Sequence, residues 1–217
     1  SIVMPEVFAA DSSYQHWPWR YLVRANMPGV EWAQIRDQLS EEEVAELHTQ
    51  LGDAVAQIHN IRLPAFGEFT ANGEVGDGKN YLEALRARSA STIKNGELRA
   101  CFLSLLEQNT DLFAEIEDAA FCHEDLHRHN ILLRKESGRW HLATILDFDK
   151  AWAGCPESDL ARLELWDGMT SEDFWRGYHA RREITPLYAS RRPIYQFLWC
   201  LEYAMQTERH LADTNRL

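Results

Sequence analysis

His123, Asp125 and Asn130 stand in one polar loop, HEDLHRHN, and Asp147 follows seventeen residues beyond Asn130 in the run ILDFD. Between them lie an apolar run, a turn around Gly138 and a second apolar run. The order H-x-D-x-x-x-x-N, strand, turn, strand, D-F draws two carboxylates and an amide together at neighbouring strand ends. Those residue types suit phosphoryl transfer. The reaction needs a carboxylate that orients an attacking hydroxyl and takes its proton, which fits Asp125. It also needs a hard Mg²⁺ ion against the nucleotide phosphates, held by oxygen ligands such as the Asn130 amide and the Asp147 carboxylate. Positioning and charge neutralisation supply the rest. The loop spacing alone arises by chance in about one chain in a hundred of this size. A strand ending in D-F at a suitable distance makes the combination far more specific.

The elements that must position these residues follow from pattern. Residues 2–10 and 20–27 are short, apolar and separated by polar turn residues, so they predict two strands, a hairpin, ended by Met27-Pro28-Gly29. Ser40 with Glu43 is a capping-box pair, and Val44, Leu47, Leu51, Val55 and Ile58 recur at helical spacing, predicting a helix over 41–60. Further helices are expected over 80–92 and 97–117. Short strands are expected over 119–123, 131–134 and 140–148, flanking the polar loop. From Asp159 onward the chain reads as helical, with breaks near Gly168 and Pro186. Function is expected between His123 and Asp159, where polar loops gather on a scaffold.

The loop HEDLHRHNILL resembles that of the aminoglycoside phosphotransferases and their choline-kinase-like relatives, and ILDFDKAWAGCPESDLA is similar to the family's later segment. PEVFAAD and YLVRANMPG resemble its last nucleotide-lobe strands and hinge. The resemblance implies an α+β, protein-kinase-like fold: a mostly helical catalytic C-lobe over 29–217 with a small β-hairpin at the site, and a remnant of the N-lobe sheet over 1–28. It implies Asp125 as catalytic base, Asn130 and Asp147 as Mg²⁺ ligands, and backbone near Ala25 and Met27 against the adenine of ATP or GTP. His123, His127 and Asp159 would support the loop. Glu124 stands where the family usually has Gly, Arg128 and His129 replace a frequent Pro-Gly pair, and Asp149 replaces a common Gly. Asp149 is either a further metal-facing carboxylate or a turn residue. The family's phosphate-covering loop and phosphate-binding Lys have no counterpart before the hinge, since Lys79, Lys94, Lys135 and Lys150 all follow it. The resemblance therefore implies a chain cut inside its N-lobe, whose bare strand edge invites self-association.

The same residues admit other chemistry. His123, His127 and His129 could ligate zinc, but no Cys or further His completes a set. Cys122 beside His123 has the outline of a thiol nucleophile, and a metal-dependent hydrolase could use the same carboxylates. A non-catalytic nucleotide- or partner-binding domain descended from a kinase is the alternative outside enzymology. With 22 Lys and Arg against 34 Asp and Glu, the net charge of −12 disfavours nucleic acid and anionic membranes and favours cationic small molecules, and the resemblance implies a small acceptor bearing a hydroxyl, such as an aminoglycoside antibiotic. Four scattered cysteines without a CxxC pair and the lack of a long apolar run predict a cytoplasmic protein.

Overall fold

The computed structural model describes residues 5–11, 13–76, 80–165 and 169–203. A two-stranded hairpin comes first, β1 (Val7–Asp11) with β2 (Tyr21–Arg24). Val7, Phe8, Leu22 and Val23 are all about half exposed or more, so both faces of the ribbon are open. A short strand, β3 (Val30–Glu31), then leads through one helical turn, α1 (Trp32–Ile35), into α2 (Glu41–His59).

α2 begins where its cap dictates. Ser40 Oγ accepts from the Glu43 amide at 3.2 Å, Glu43 Oε2 accepts from the Ser40 amide at 3.0 Å, and three glutamates occupy the positive first turn. Its apolar stripe of Leu47, Leu51, Val55 and Ile58 is fully buried. α2 packs against α6 (Glu172–His179) through a neighbouring face, and two glycines set how close the helices come. A Cβ at Gly52 would lie 2.0 Å from the Phe174 carbonyl oxygen, and one at Gly177 would lie 2.1 Å from that of Thr49.

After β4 (Gly67–Glu68), α3 (Tyr81–Thr92) and α4 (Gly96–Gln108) fill the flank. The helix expected to reach residue 117 stops at Gln108. The Asn109 side chain donates to the Leu105 carbonyl at 2.8 Å and so competes for the helix's own acceptor, and a short 3-10 turn over Thr110–Phe113 follows.

β5 (Ala120–Cys122) then enters the polar loop, and β6 (Ile131–Glu136) and β7 (Arg139–Ile145) form the hairpin beyond it. Glu136 pairs with Arg139, leaving Ser137 (φ 50°) and Gly138 (φ 87°) as a two-residue turn of the kind that matches strand twist. β7 was expected to run to Phe148 and ends at Ile145, because Asp147 takes a φ of 65° that no strand accommodates. The strands order as β3-β6-β7, with β8 (Trp152–Gly154) between β4 and β5 in a second small sheet. α5 (Pro156–Leu165), α6 and α7 (Tyr188–Tyr203) complete the core. Pro186 lies in the break before α7 as expected. The break read at Gly168 lies outside the described residues.

Candidate active site

The polar loop is held from below by one buried acid. Asp159, in the first turn of α5, accepts from the His123 amide at 2.6 Å and the Glu124 amide at 2.5 Å, and pairs with His59 Nε2 at 3.1 Å. Because His59 donates from Nε2, its Nδ1 accepts from the Tyr178 hydroxyl at 3.0 Å. Burial works to raise the Asp159 pKa, but the hydrogen bonds from His59 and the His123 amide outweigh it and hold the carboxyl below its ordinary value. Asp159 thus ties α2, α5 and α6 to the loop.

His123 braces the loop from inside. Its Nδ1 accepts from the Asp125 amide at 3.1 Å and its Nε2 donates to the Leu146 carbonyl at 2.9 Å, a neutral tautomer bridging the loop and the end of β7. Burial lowers its pKa and so preserves that neutrality. Phe148 packs against the ring, tilted by 47°, with centroids 4.4 Å apart.

Asp125 meets the cations of the site. Arg162 of α5 pairs with Oδ1 and Lys150 lies 3.2 Å from Oδ2, while His127 Nε2 stands 3.8 Å from Oδ1. The Arg162 guanidinium carbon lies over Trp199, 3.2 Å from the ring centroid, and Lys150 reaches the same ring at 5.9 Å. Burial lowers Arg162 to about 10. Asn130 turns its amide nitrogen to the Asp125 carbonyl at 2.9 Å, which leaves the hard Oδ1 for another partner. The Leu146 amide donates to the Asn130 carbonyl at 2.8 Å, and Ile131 pairs with Ile145, so Asn130 and Asp147 emerge from adjacent strand ends. Asp147 and Asp149 are both exposed.

The residues expected at the site therefore divide plainly. His123, Asp125, His127, Asn130 and Asp159 form one bonded cluster, and Asp147 follows directly on the strand end joined to Asn130. Ala25 and Met27 lie apart, on the link between β2 and β3, where the Ala25 amide donates to the Glu6 carbonyl at 2.8 Å. Three residues at the centre were missed: Arg162, Lys150 and Glu124. Arg162 carried a signal, since it stands one helical step beyond Asp159 and so shares its face of α5.

Asn130 Oδ1 and the Asp147 carboxylate fit a Mg²⁺ ion, which takes few protein oxygens and keeps water and phosphate for the rest. Among the described residues no three His, Cys, Asp or Glu are grouped to hold a metal, which removes the zinc reading of His123, His127 and His129.

A family model described as the phosphotransferase enzyme family matches residues 1–194. No curated protein matches the chain in sequence. Among solved structures, a thermostable variant of aminoglycoside phosphotransferase APH(4)-Ia, in ternary complex with AMP-PNP and hygromycin B, superposes with a TM-score of 0.66 at 18% identity, over 99% of this chain and 74% of that one. A protein of Haemophilus somnus 129PT assigned as a fructosamine-3-kinase gives 0.63 at 14% identity, over 100% and 72%. At such identities the likeness shows a shared fold, which is the protein-kinase-like one expected. No helix among the described residues is long and apolar enough to cross a membrane.

Proposed function

We propose, from the premise that this chain belongs to the phosphotransferase enzyme family, that it serves a kinase moving the γ-phosphate of ATP or GTP to a hydroxyl of a small molecule. One observation carries the reading. A single short hairpin sets the Asn130 amide oxygen and Asp147 beside a loop whose carboxylate, Asp125, is oriented on both oxygens.

In this mechanism Asp125 receives the acceptor hydroxyl and takes its proton as the new O–P bond forms and the bond from the γ-phosphorus to the bridging oxygen breaks, releasing the nucleoside diphosphate. Arg162 fixes the carboxylate's direction from the buried side, and Lys150 balances its charge from the open side. His123 and Asp159 hold the backbone so that the carboxylate keeps its aim. Asn130 and Asp147 would hold Mg²⁺, which when bound neutralises phosphate charge. Ala25 and Met27 would meet the nucleotide base through their backbone, with residues 1–28 belonging to the nucleotide lobe and 29–217 to the catalytic lobe.

The net charge of −12 supports a cationic acceptor, and the APH(4)-Ia complex, which holds AMP-PNP and hygromycin B, supports a nucleotide donor and a small-molecule acceptor. A second reading, a nucleotide- or partner-binding domain, draws support from the open faces of the β1–β2 ribbon, which suit either another chain or a second copy. Incubation with labelled ATP or GTP, Mg²⁺ and a panel of amino sugars, amino alcohols and glycated amines separates the two. Label transfer abolished by D125N supports the kinase. Mg²⁺-dependent nucleotide binding without transfer to any acceptor supports the binding domain.

A further inference from the structure

Glu124 takes no part in the chemistry above, yet it is tightly constrained. It is 2% exposed, and its φ of 62° lies in the left-handed region that glycine adopts freely and glutamate avoids. Its Oε1 accepts from the Trp152 indole Nε1 at 2.8 Å and from the Ser158 hydroxyl. Its amide is one of the two that Asp159 holds. A residue in an unfavourable conformation, with a charged group in the core, persists only where its surroundings over-determine it.

We propose that Glu124 is a positioning residue for Asp125: gripped by Trp152 and Ser158, its carboxylate sets the turn that aims the neighbouring carboxylate, and its own proton loosens or tightens that grip.

The geometry gives the coupling. Glu124 and Asp125 are consecutive, so rotation of the Glu124 peptide swings the Asp125 side chain against Arg162 and Lys150. The two donors come from different elements, β8 and α5, and hold the side chain from two sides. Hydrogen bonds to an ionised carboxylate are roughly twice as strong as neutral ones, so the ionised form grips tightest. The groups facing Glu124 are Asp159 and Arg162 on α5, Arg88 and Tyr81 on α3 and Cys122 on β5. Burial keeps the Tyr81 phenol and the Cys122 thiol neutral, so the carboxyl feels one acid, Asp159, and two guanidinium groups. Burial first, and Asp159 next, push it up to about 7 against the pull of Arg88, Ser158 and Trp152. The grip therefore changes within the neutral range.

The Trp152 indole N–H reports the grip without turnover. In ¹⁵N-labelled chain, with the signal assigned by its loss in W152F, we expect the Trp152 indole resonance and the Asp125 amide resonance to move together with a midpoint near 7. Both should stay flat in E124Q. S158A, which removes one donor to the ionised form, should shift the common midpoint upward by about one pH unit. An indole signal that is flat in the wild type, or that titrates equally in E124Q, overturns the proposal. So does an Asp125 amide that ignores a titrating indole. The kinetic arm rests on the kinase reading: E124Q should lower kcat about tenfold, leave the nucleotide KM nearly unchanged and flatten the pH profile near neutrality. Resonances that titrate in a chain that transfers no phosphate retain the brace and refute the kinase.

Discussion

Gly177→Ala tests whether the distance between α2 and α6 is set by backbone contact, and the size of the effect follows from the structure. An added Cβ would stand 2.1 Å from the Thr49 carbonyl oxygen, whereas ordinary contacts of a Cβ begin near 3.4 Å. The two helices must therefore part by about 1 Å, and a gap of that size forfeits a quarter to a half of each dispersion contact along it. No rotamer relieves the clash, because both partners are backbone or Cβ. Overpacking of this kind costs about 1–3 kcal/mol, and the upper end applies here; the better helix propensity of alanine returns about 1 kcal/mol. The net expectation is a loss of about 2 kcal/mol, read from urea unfolding followed by circular dichroism. Gly52→Ala, whose Cβ would meet the Phe174 carbonyl at 2.0 Å, should cost a similar amount. The double variant should cost less than the two together, since either change already parts the helices. The consequence reaches the site, because Tyr178 follows Gly177 and its hydroxyl bonds to His59, the partner of Asp159. Single variants that are neutral, or stabilised by the propensity gain alone, would refute the close-contact reasoning.

D125N should reduce phosphotransfer by about 10²–10⁴ and, by removing the carboxylate charge that faces the buried Arg162 guanidinium, lower stability by about 3 kcal/mol; initial rates and thermal melts measure the two separately. D159N should cost about 3 kcal/mol, since the asparagine cannot accept from both loop amides and His59 as the carboxylate does. The folded pKa of Asp159 is depressed, so its contribution is present above the unfolded value of 3.8 and is lost as pH falls below it. Acid unfolding of the wild type should therefore be steeper than that of D159N. Glu124 has the opposite sign. Its folded pKa of about 7 exceeds the ordinary 4.5, so the protonated core group favours folding below 4.5 and that advantage fades as pH rises to about 7. E124Q, which never ionises, should gain on the wild type between pH 5 and pH 8 by on the order of 3 kcal/mol, measured by denaturant melts at both pH values. Equal pH dependence of the two proteins would show that Glu124 is not neutral at low pH in the folded chain.

Some of this architecture can be read directly from residue order. The Ser40–Glu43 box and the Leu47, Leu51, Val55 stripe announce α2 to within a residue, because cap chemistry and periodicity are local properties. The His123–Asp147 loop and hairpin are legible for the same reason: the spacing itself forces the strands to return. Helix α4 was overextended because Asn109, which ends it, differs from an ordinary polar helix residue only in where its side chain bonds. The partners of Asp125 were invisible on other grounds. Periodicity says which side of α5 faces the core, and nothing in it says that a buried arginine there meets a carboxylate thirty-seven residues earlier. The left-handed turn at Glu124 was hidden because a glutamate carries none of the signal that a glycine would.

Three carboxylates crowd the site, and their different surroundings assign them different work. Asp159 is fully enclosed and spends its oxygens on two backbone amides and a histidine, so it can only hold. Glu124 is nearly as enclosed and bonds an indole and a hydroxyl, so it can hold or release with its proton. Asp125 alone keeps an exposed portion, 13% of its side chain, and faces two cations, one buried and one open. A single turn of α5 supplies all three grips: Ser158 takes the Glu124 side chain, Asp159 the His123 and Glu124 amides, and Arg162 the Asp125 carboxylate. One rigid element thus reads three consecutive loop residues, so the base and its brace are held to the same helix. The aim of Asp125 should therefore depend on α2–α6 packing, which reaches Asp159 of α5 through Tyr178 and His59.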